Sequence, residues 1–507
     1  MPSAVKNKKL LLFAPRASRD VWGAEPWSLL AVSRFPIQEG YEVKVIQSFK
    51  GEDFRPEIIK EAGDSLLLGV SVMTGYAIEE ALEASKAFKE ANPGAPVVWG
   101  GWHPSIMPEQ VLESRYVDIA VVGQGERSLV EVADAVLGGR LPDGVLGVAY
   151  KDGGKFVKNP PRTFEDLNNF PAAPYDIIDV ERNIRVTDLG SRTLRYVSSQ
   201  GCPHRCGFCI EPAVYGRRWS GLKAERVVDE VEALVKKYNL DSLIFTDSNF
   251  FVDKRRTRDI ARLFVERGLN IVWGDANGRT RQLLALGDDT WDLLRRSGLK
   301  SVLIGAESGI QEGLDLIHKD TTVDDTVNLA KLCARFGVKI TFSLMIGLPY
   351  DVDNKAEQAR LVKKEYDAII ELLDSIYRGQ SSPNLFLLFV YTPYPGTPLY
   401  NLSLKLGMEE PKKLTDWTNF ELNMRNTPWV PVEYADRAEM LTSYIFRWLD
   451  DLYFLKLKAR RSSVRPLLVL GGHVFTALCR LRWRTKFFGL PVDYIAFKFA
   501  LRKLKSM

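Results

Sequence analysis

The chain has 507 residues, of which 46% are hydrophobic and 26% charged. That length predicts about three domains, each able to bury its own core, and the balance excludes a disordered chain. The formal net charge of +5 is uneven: residues 452–507 hold thirteen Lys/Arg against one acidic residue, Asp493, leaving 56 basic and 63 acidic residues in the body. Met1 to Lys9 is short and basic and runs into Leu10-Leu11-Leu12-Phe13. That apolar run is too brief for a signal peptide and lacks a small-residue cleavage site, so a cytoplasmic protein is expected.

Apolar runs at 8–14, 41–47, 65–72, 95–99 and 117–122 alternate with helical patterns such as Ile78–Ala91 and Ser128–Leu137. This rhythm predicts an α/β domain over 1–140 built on a doubly wound parallel sheet, with ligands at the carboxyl ends of its strands. Those ends carry Ser71-Val72-Met73-Thr74-Gly75, Gly100-Gly101-Trp102-His103-Pro104-Ser105 and Gly123-Gln124-Gly125-Glu126. Paired glycines let a backbone approach a bulky ligand. Neither a G-x-G-x-x-G fingerprint nor a Walker loop occurs, which disfavours dinucleotides and ATP. Residues 141–190, with Pro142, Pro160, Pro161, Pro171 and Pro174, read as a linker following a short hairpin.

From Arg195 the rhythm resumes, with strands expected at 195–200, 241–246, 270–275, 300–305, 338–346 and 384–391. Helices are expected at Ala224–Lys237, Lys254–Arg267, Asp289–Ser297, Val323–Phe336 and Lys355–Asp374. Six βα units over 191–400 are too few for a closed barrel, and functional residues belong at the C-terminal ends of the strands. The first of those ends is Gly201-Cys202-Pro203-His204-Arg205-Cys206-Gly207-Phe208-Cys209, with three of the five cysteines spaced C-x3-C-x2-C. Thiolates suit zinc or iron–sulfur clusters. A structural zinc wants four protein ligands, whereas His204 sits inside the first gap, where reaching the same ion strains the loop. Phe208 either shields a cluster or packs. Cys333 and Cys479 lie in apolar surroundings and suggest no disulfide.

This loop, preceded by the Gly-Gly-Trp-His-Pro and Gly-Gln-Gly-Glu loops, resembles the cobalamin-dependent radical S-adenosylmethionine (SAM) enzymes over roughly residues 8–400. The resemblance implies a Rossmann-like cobalamin domain and a partial (β/α)6 TIM-type barrel. It implies a 4Fe–4S cluster on Cys202, Cys206 and Cys209, whose open iron takes SAM and yields a 5′-deoxyadenosyl radical, with an electron donor such as flavodoxin or ferredoxin. Ser71, Thr74, Gly100, Gly101, His103, Gly123, Gly125 and Glu126 become candidate cobalamin contacts. Asp247 and Asn249 either hold the ammonium or ribose of SAM or cap their loop, and Asn277 and Arg279 meet its carboxylate. Glu307, in a Gly-x-Glu-Ser run, is implied to lie in the cofactor pocket and is the catalytic candidate, the alternative being stabilisation of a helix N-terminus. Gly347 is expected to admit the adenine, and Tyr391 to Pro398 to line the substrate cavity or pack.

One departure is plain. The D-x-H-x-x-G motif that brings a histidine to cobalt is absent, its place reading Pro15-Arg16-Ala17-Ser18-Arg19-Asp20-Val21-Trp22-Gly23. Cobalamin is therefore expected base-off, with His103 either standing in as ligand or serving as a structural surface histidine. The implied reaction is C-methylation of a hydrophobic small molecule. Ring formation, as in anaerobic magnesium-protoporphyrin ester cyclase, is the alternative, hopanoid methylases are a further relative, and a non-catalytic cofactor carrier is the reading from another class.

The C-terminal region, 401–507, is expected to be helical. Pro466–Cys479 is apolar but shorter than the roughly 20 residues that span a bilayer. The aromatic-rich Phe487–Leu501 follows Arg480, Arg482, Arg484 and Lys486. That pattern predicts either peripheral contact with the anionic inner face of a membrane or a solvated basic cap. No nucleic-acid motif accompanies the charge.

Overall fold

The computed structural model describes residues 7–352, 354–378, 384–420, 426–449 and 465–506. The N-terminal sheet opens with β1 (Lys9–Ala14), β2 (Glu42–Gln47), β3 (Leu67–Ser71), β4 (Val97–Gly100) and β5 (Ile119–Val121), parallel in the order 2-1-3-4-5. Leu10 lies in register with Val43 on one side and Leu67 on the other. Strand β1 is buried along its whole length, as strands covered on both faces must be. The chain runs outward from β1 to β2 and returns beside β1 as β3, which makes the β1/β3 junction a topological switch point. The helix Ala77–Ala91 buries Ile78, Ala81, Ala84 and Phe88.

The proline-rich stretch is tied down. Its hairpin, β6 (Val148–Asp152) and β7 (Lys155–Lys158), extends the N-terminal sheet antiparallel from β5. Beyond it, Asn183 and Gln47 exchange amide hydrogen bonds of 3.0 and 3.1 Å, and Phe170 packs edge-on against Phe35.

The second sheet follows chain order. Strands β8 (Thr193–Tyr196), β11 (Ser242–Phe245) and β12 (Val272–Gly274) pair in parallel, as do β13 (Ala276–Gly278), β14 (Ser301–Glu307), β15 (Lys339–Ile346) and β16 (Leu385–Val390). Only Asp275, at φ +51°, separates β12 from β13, so the two halves form six consecutive βα positions. Along β16 the half-buried Leu385, Leu387 and Phe389 alternate with buried Phe386, Leu388 and Val390. Phe386 packs outward on Phe446, so the half-buried row faces the concave side. The helices follow their end signals: Asp253 caps Lys254–Glu266, and Thr322 and Asp325 form a reciprocal capping box on Val323–Arg335.

The first barrel strand departs from expectation. The run 195–200 divides into β8 and a separate β9 (Ser199–Gly201), which pairs antiparallel with β10 (Trp219–Gly221). This hairpin carries the cysteine loop. Asp247 causes the break by drawing in both the amide and the hydroxyl of Ser198. Three-residue strands are too short to leave a period in the sequence.

Candidate functional site: a cysteine loop facing a glycine-lined slot

Two contacts fix the cysteine loop: Gly207 N donates to Ile317 O at 2.9 Å and Leu399 N to Gly207 O at 3.1 Å. Cys202, Cys206 and Cys209 are all half-exposed. Arg279 Nη1 donates to Cys206 Sγ at 3.0 Å. Burial pushes the Cys209 thiol up to about 12 and raises Cys202 as well, so thiolate ligation depends on the positive charge of a bound metal. Among the described residues no three His, Cys, Asp or Glu side chains converge on one ion. Thiolates spread around a loop suit a cluster, whose metal atoms stand apart. His204 Nε2 lies 3.2 Å from Gln282 Nε2, and burial lowers its pKa to about 4. Phe208 is partly buried, with Lys319 Nζ 5.9 Å from its ring.

Around the loop lie buried polar atoms that the protein leaves without hydrogen bonds. Asn249 is 2% exposed and lies beside Cys202, yet neither amide atom has a well-formed partner. Arg279 Nη2 makes no hydrogen bond and has only a long ion pair, 3.8 Å, to Asp320. Glu211 accepts from Ser248 Oγ at 2.9 Å through one oxygen and leaves the other unpaired; burial raises its carboxyl to about 7. Such atoms are costly, at roughly 1–3 kcal/mol each, and mark where a ligand completes the structure. The donor set fits a 4Fe–4S cluster with SAM: three cysteines on one loop, with Arg279 against Cys206 and the unsatisfied amide of Asn249 beside Cys202. Glu211 and Ser248 escaped the sequence reading because an acid two residues past a cysteine has no distinguishing pattern.

Three candidates already have partners within the protein. Asp247 is fully buried and spends its carboxylate on Ser198 N, Ser198 Oγ and Ser199 Oγ; Arg256, which also donates to Ser198 Oγ, supplies the nearby positive charge. It braces the β8–β9 turn, with Oδ2 engaged only by Ser198 N at 3.3 Å. Glu307 ends β14 at φ +64°, and its carboxylate accepts from buried Lys319 at 2.7 Å. A Cβ on Gly305 would meet that carboxylate at 2.0 Å, so the glycine makes room for the ion pair. The next helix begins only at Gln311, so Glu307 caps no helix. A left-handed non-glycine residue at a strand end is strained, and the ion pair with Lys319 holds Glu307 in that conformation. Gly347, at φ +83°, has Val430 Cγ2 2.4 Å from where a Cβ would stand. Val430 thus packs against this turn on the side where a side chain would stand. The buried carboxylate of Glu365 also holds this turn, accepting from Gly347 N at 2.7 Å and Tyr350 OH at 2.8 Å.

At the switch point of the first sheet a slot of about 100 Å³ opens between Gly69, Ser71, Gly100, Gly123, Gly125 and Glu126. A Cβ on Gly100 would meet only Val121, at 3.7 Å. Ser71 Oγ is 2.8 Å from Ser28 Oγ. Glu126 is buried with one oxygen unpartnered, and burial raises its carboxyl pKa. The slot is far too small for a corrin ring but suits a flat appended group, such as the base of a cobalamin nucleotide tail, and Glu126 offers that group a polar contact.

Gly101 lines the slot as well, whereas Thr74 and His103 stand away from it. Gly101 holds φ +100° and ψ −167°, and its Cβ would strike Val72 O at 2.8 Å; the neighbouring strand end explains the glycine. His103 is not a surface residue: it has no exposed area, Thr74 Oγ1 lies 3.0 Å from its Nδ1, and Trp417 packs edge-on against it. Burial lowers its pKa to about 3. Neither His103 nor Thr74 lines the slot. The place of the missing histidine motif is occupied by Arg16, which clasps Glu80 at 2.7 and 2.9 Å.

The barrel contributes Gln200 and Tyr215 to the same slot, and Gln124 Nε2 donates to Gln200 Oε1 across the junction at 2.8 Å. Residues 200–215 thus carry the cysteine loop on one side and a wall of the slot on the other. A doubly wound domain facing an iron–sulfur loop at the mouth of a partial barrel defines a radical enzyme with an accessory cobalamin domain.

The comparisons agree. Residues 196–361 match the radical SAM superfamily and residues 24–133 the B12 binding domain. The chain is 28% identical over 410 residues to an uncharacterized methyltransferase of Pyrococcus horikoshii, covering 79% of this chain and 84% of that protein. It is 25% identical over 463 residues to the anaerobic magnesium-protoporphyrin IX monomethyl ester cyclase of Rubrivivax gelatinosus, covering 89% and 78%. The structure of the cobalamin-dependent S-adenosylmethionine radical enzyme OxsB with aqua-cobalamin bound shares the fold at a TM-score of 0.67 and 17% identity, covering 98% of this chain and 75% of that one. Residues 196–361 are thus a radical SAM domain and residues 24–133 a B12-binding domain, and the cofactors this pair implies are a 4Fe–4S cluster, SAM and cobalamin.

Proposed function

We propose that the protein C-methylates an unactivated carbon of a hydrophobic small molecule. The observation that carries this reading is the shared segment 200–215, which puts the cysteine loop and the slot wall on one short piece of chain. When bound, the cluster with SAM supplies one-electron hydrogen abstraction, and cobalamin supplies the methyl group. The protein's own residues bind and orient. Cys202, Cys206 and Cys209 hold the cluster; Arg279 lies against Cys206 and presents a free N–H to a carboxylate; Asn249 offers an amide to the amino-acid end of SAM. Ser71, Gly100, Gly123, Gly125 and Glu126 hold the cobalamin tail. The concave row Leu385, Leu387 and Phe389 gives the substrate an apolar wall. An electron donor of the flavodoxin or ferredoxin type serves the cluster, and the protein works in the cytoplasm, peripheral to the inner membrane face.

Ring-forming cyclase chemistry is the second reading, favoured by the similarity to the Rubrivivax cyclase. Isotope decides between them. With SAM labelled in its methyl group, a methylase places label in the product, and an unlabelled product overturns the methylation reading. Absence of 5′-deoxyadenosine after dithionite reduction of reconstituted protein would favour a carrier over either enzyme.

A further inference from the structure

We propose that the helices Arg465–Thr485 and Val492–Ser506 form a docking hairpin that lays its outer face on an anionic bilayer. The proposal rests on the peripheral placement above and names the surface responsible. The first helix buries Thr476, Cys479 and Trp483 against the body, and the second buries Tyr494 and Phe497. The opposite faces should then be polar, as on any helix with one side in water. Instead Leu470, Val474, Leu478 and Leu481 recur at i, i+4, i+8 and i+11, and Val492, Ile495 and Phe499 at i, i+3 and i+7, all exposed. Phe487 and Leu490 add to them from the connecting turn. Nine of the nineteen exposed large apolar residues among those described thus fall within 470–499. A groove of about 630 Å³ joins the two helices along Leu478, Leu481, Phe487, Val492 and Ala496.

The face is rigid. Arg482 locks the turn, donating from Nε to Asp493 at 2.8 Å, from Nη1 to Phe487 O and Gly489 O at 3.0 and 2.9 Å, and from Nη2 to Leu490 O at 2.8 Å. Lys498 pairs with Glu439 and Lys486 with Asp374, anchoring the hairpin to the body. A fixed apolar face therefore points away from the protein. Exposed Arg480 and Arg484 lie along one flank of the first stripe. Among the described residues no helix is long and apolar enough to cross a membrane, so the hairpin lies in the interface plane. Charge selects the occupant: a second copy would set this basic surface against its like, whereas anionic headgroups complement it while the acyl boundary takes the apolar stripe. Nucleic acid would leave that stripe in water.

The test is flotation of the cluster-loaded full chain with vesicles of phosphatidylcholine alone or mixed with phosphatidylglycerol, at low and high salt, alongside analytical ultracentrifugation. The expected result is binding to the anionic vesicles that weakens with salt. Leu481→Glu/Ile495→Glu and Arg480→Glu/Arg484→Glu should each weaken it about tenfold or more, with unchanged cleavage of SAM to 5′-deoxyadenosine. Both pairs lie at exposed positions, and unchanged circular dichroism separates lost docking from lost folding. No flotation, or equal flotation of the variants, overturns the proposal. So does a concentration-dependent dimer that Leu481→Glu/Ile495→Glu abolishes, since the face would then be a self-interface. Because SAM cleavage is read separately, failure here leaves the catalytic reading standing, and loss of cleavage in the unaltered protein would sink that reading without touching this one.

Discussion

At the mouth of the barrel Asn249, Arg279 and Glu211 are buried with polar atoms unpartnered, whereas most of the slot at the β1/β3 switch point is lined by glycine and aliphatic side chains, with Glu126 its one buried orphan. The first region recognises by unsatisfied hydrogen bonds and charge, the second by narrowness. A third kind of polar group is already engaged within the protein: Asp247 with Ser198 and Ser199, and Glu307 with Lys319. Ligand-binding residues and structural residues look alike in type. They differ in whether the protein already uses their hydrogen bonds.

The sharpest test of the first region is the cluster. Cys202→Ala, Cys206→Ala or Cys209→Ala should abolish the 4Fe–4S absorbance and all SAM cleavage, while Cys333→Ala, buried among apolar neighbours, should retain both. A triple variant that still cleaves SAM would break the comparison at its root.

The engaged groups should respond in stability. Removing one partner of a buried ion pair costs about 3–5 kcal/mol, so Lys319→Met should lose stability of that order in chemical denaturation, while Asp247→Ala, which strands buried hydrogen-bond donors, should lose about 1–3 kcal/mol. Glu307→Gln combined with Lys319→Met should recover much of the loss. Asn249→Ala should do the reverse, with little change in denaturation midpoint but an affinity for SAM weakened about tenfold, the loss of one or two hydrogen bonds. If Asp247→Ala folds normally and loses only SAM affinity, the assignment of Asp247 as a brace is wrong.

For the slot, Gly100→Val should reduce cobalamin retention without altering iron content, because a side chain there enters free space. Gly101→Ala, forced into backbone that glycine alone adopts comfortably, should instead destabilise the domain by about 1–3 kcal/mol. Base-off spectra should persist in His103→Ala.

A further expected effect concerns pH. Burial raises the Glu365 carboxyl to about 8, so the folded state holds a proton that the unfolded chain releases near its ordinary pKa. Stability from this group is full below about pH 4.5 and is lost as pH rises towards 8. Glu365→Gln should flatten that part of the profile, read as melting temperature between pH 5 and 8; an unchanged slope would mean that the carboxyl is already ionised in the fold.

Much of this protein was legible in one dimension because its signals are local. The spacing of three cysteines, the alternation of β and α patterns and the missing histidine motif each lie within a short stretch, and each reports geometry that neighbouring residues impose on one another. What only the tertiary structure decided is how the polar groups are shared. Asp247 and Asn249 are two residues apart and chemically alike, yet one is spent on Ser198 and Ser199 and the other is bare beside Cys202. Lys319 reaches Glu307 across twelve residues, Val430 fills the space over Gly347, and Trp417 seals His103 from a segment 314 positions away. Hydrogen-bond capacity is a finite local quantity allocated by long-range contacts. A sequence therefore lists the groups that can bind a ligand, and the fold determines which of them remain free to do so.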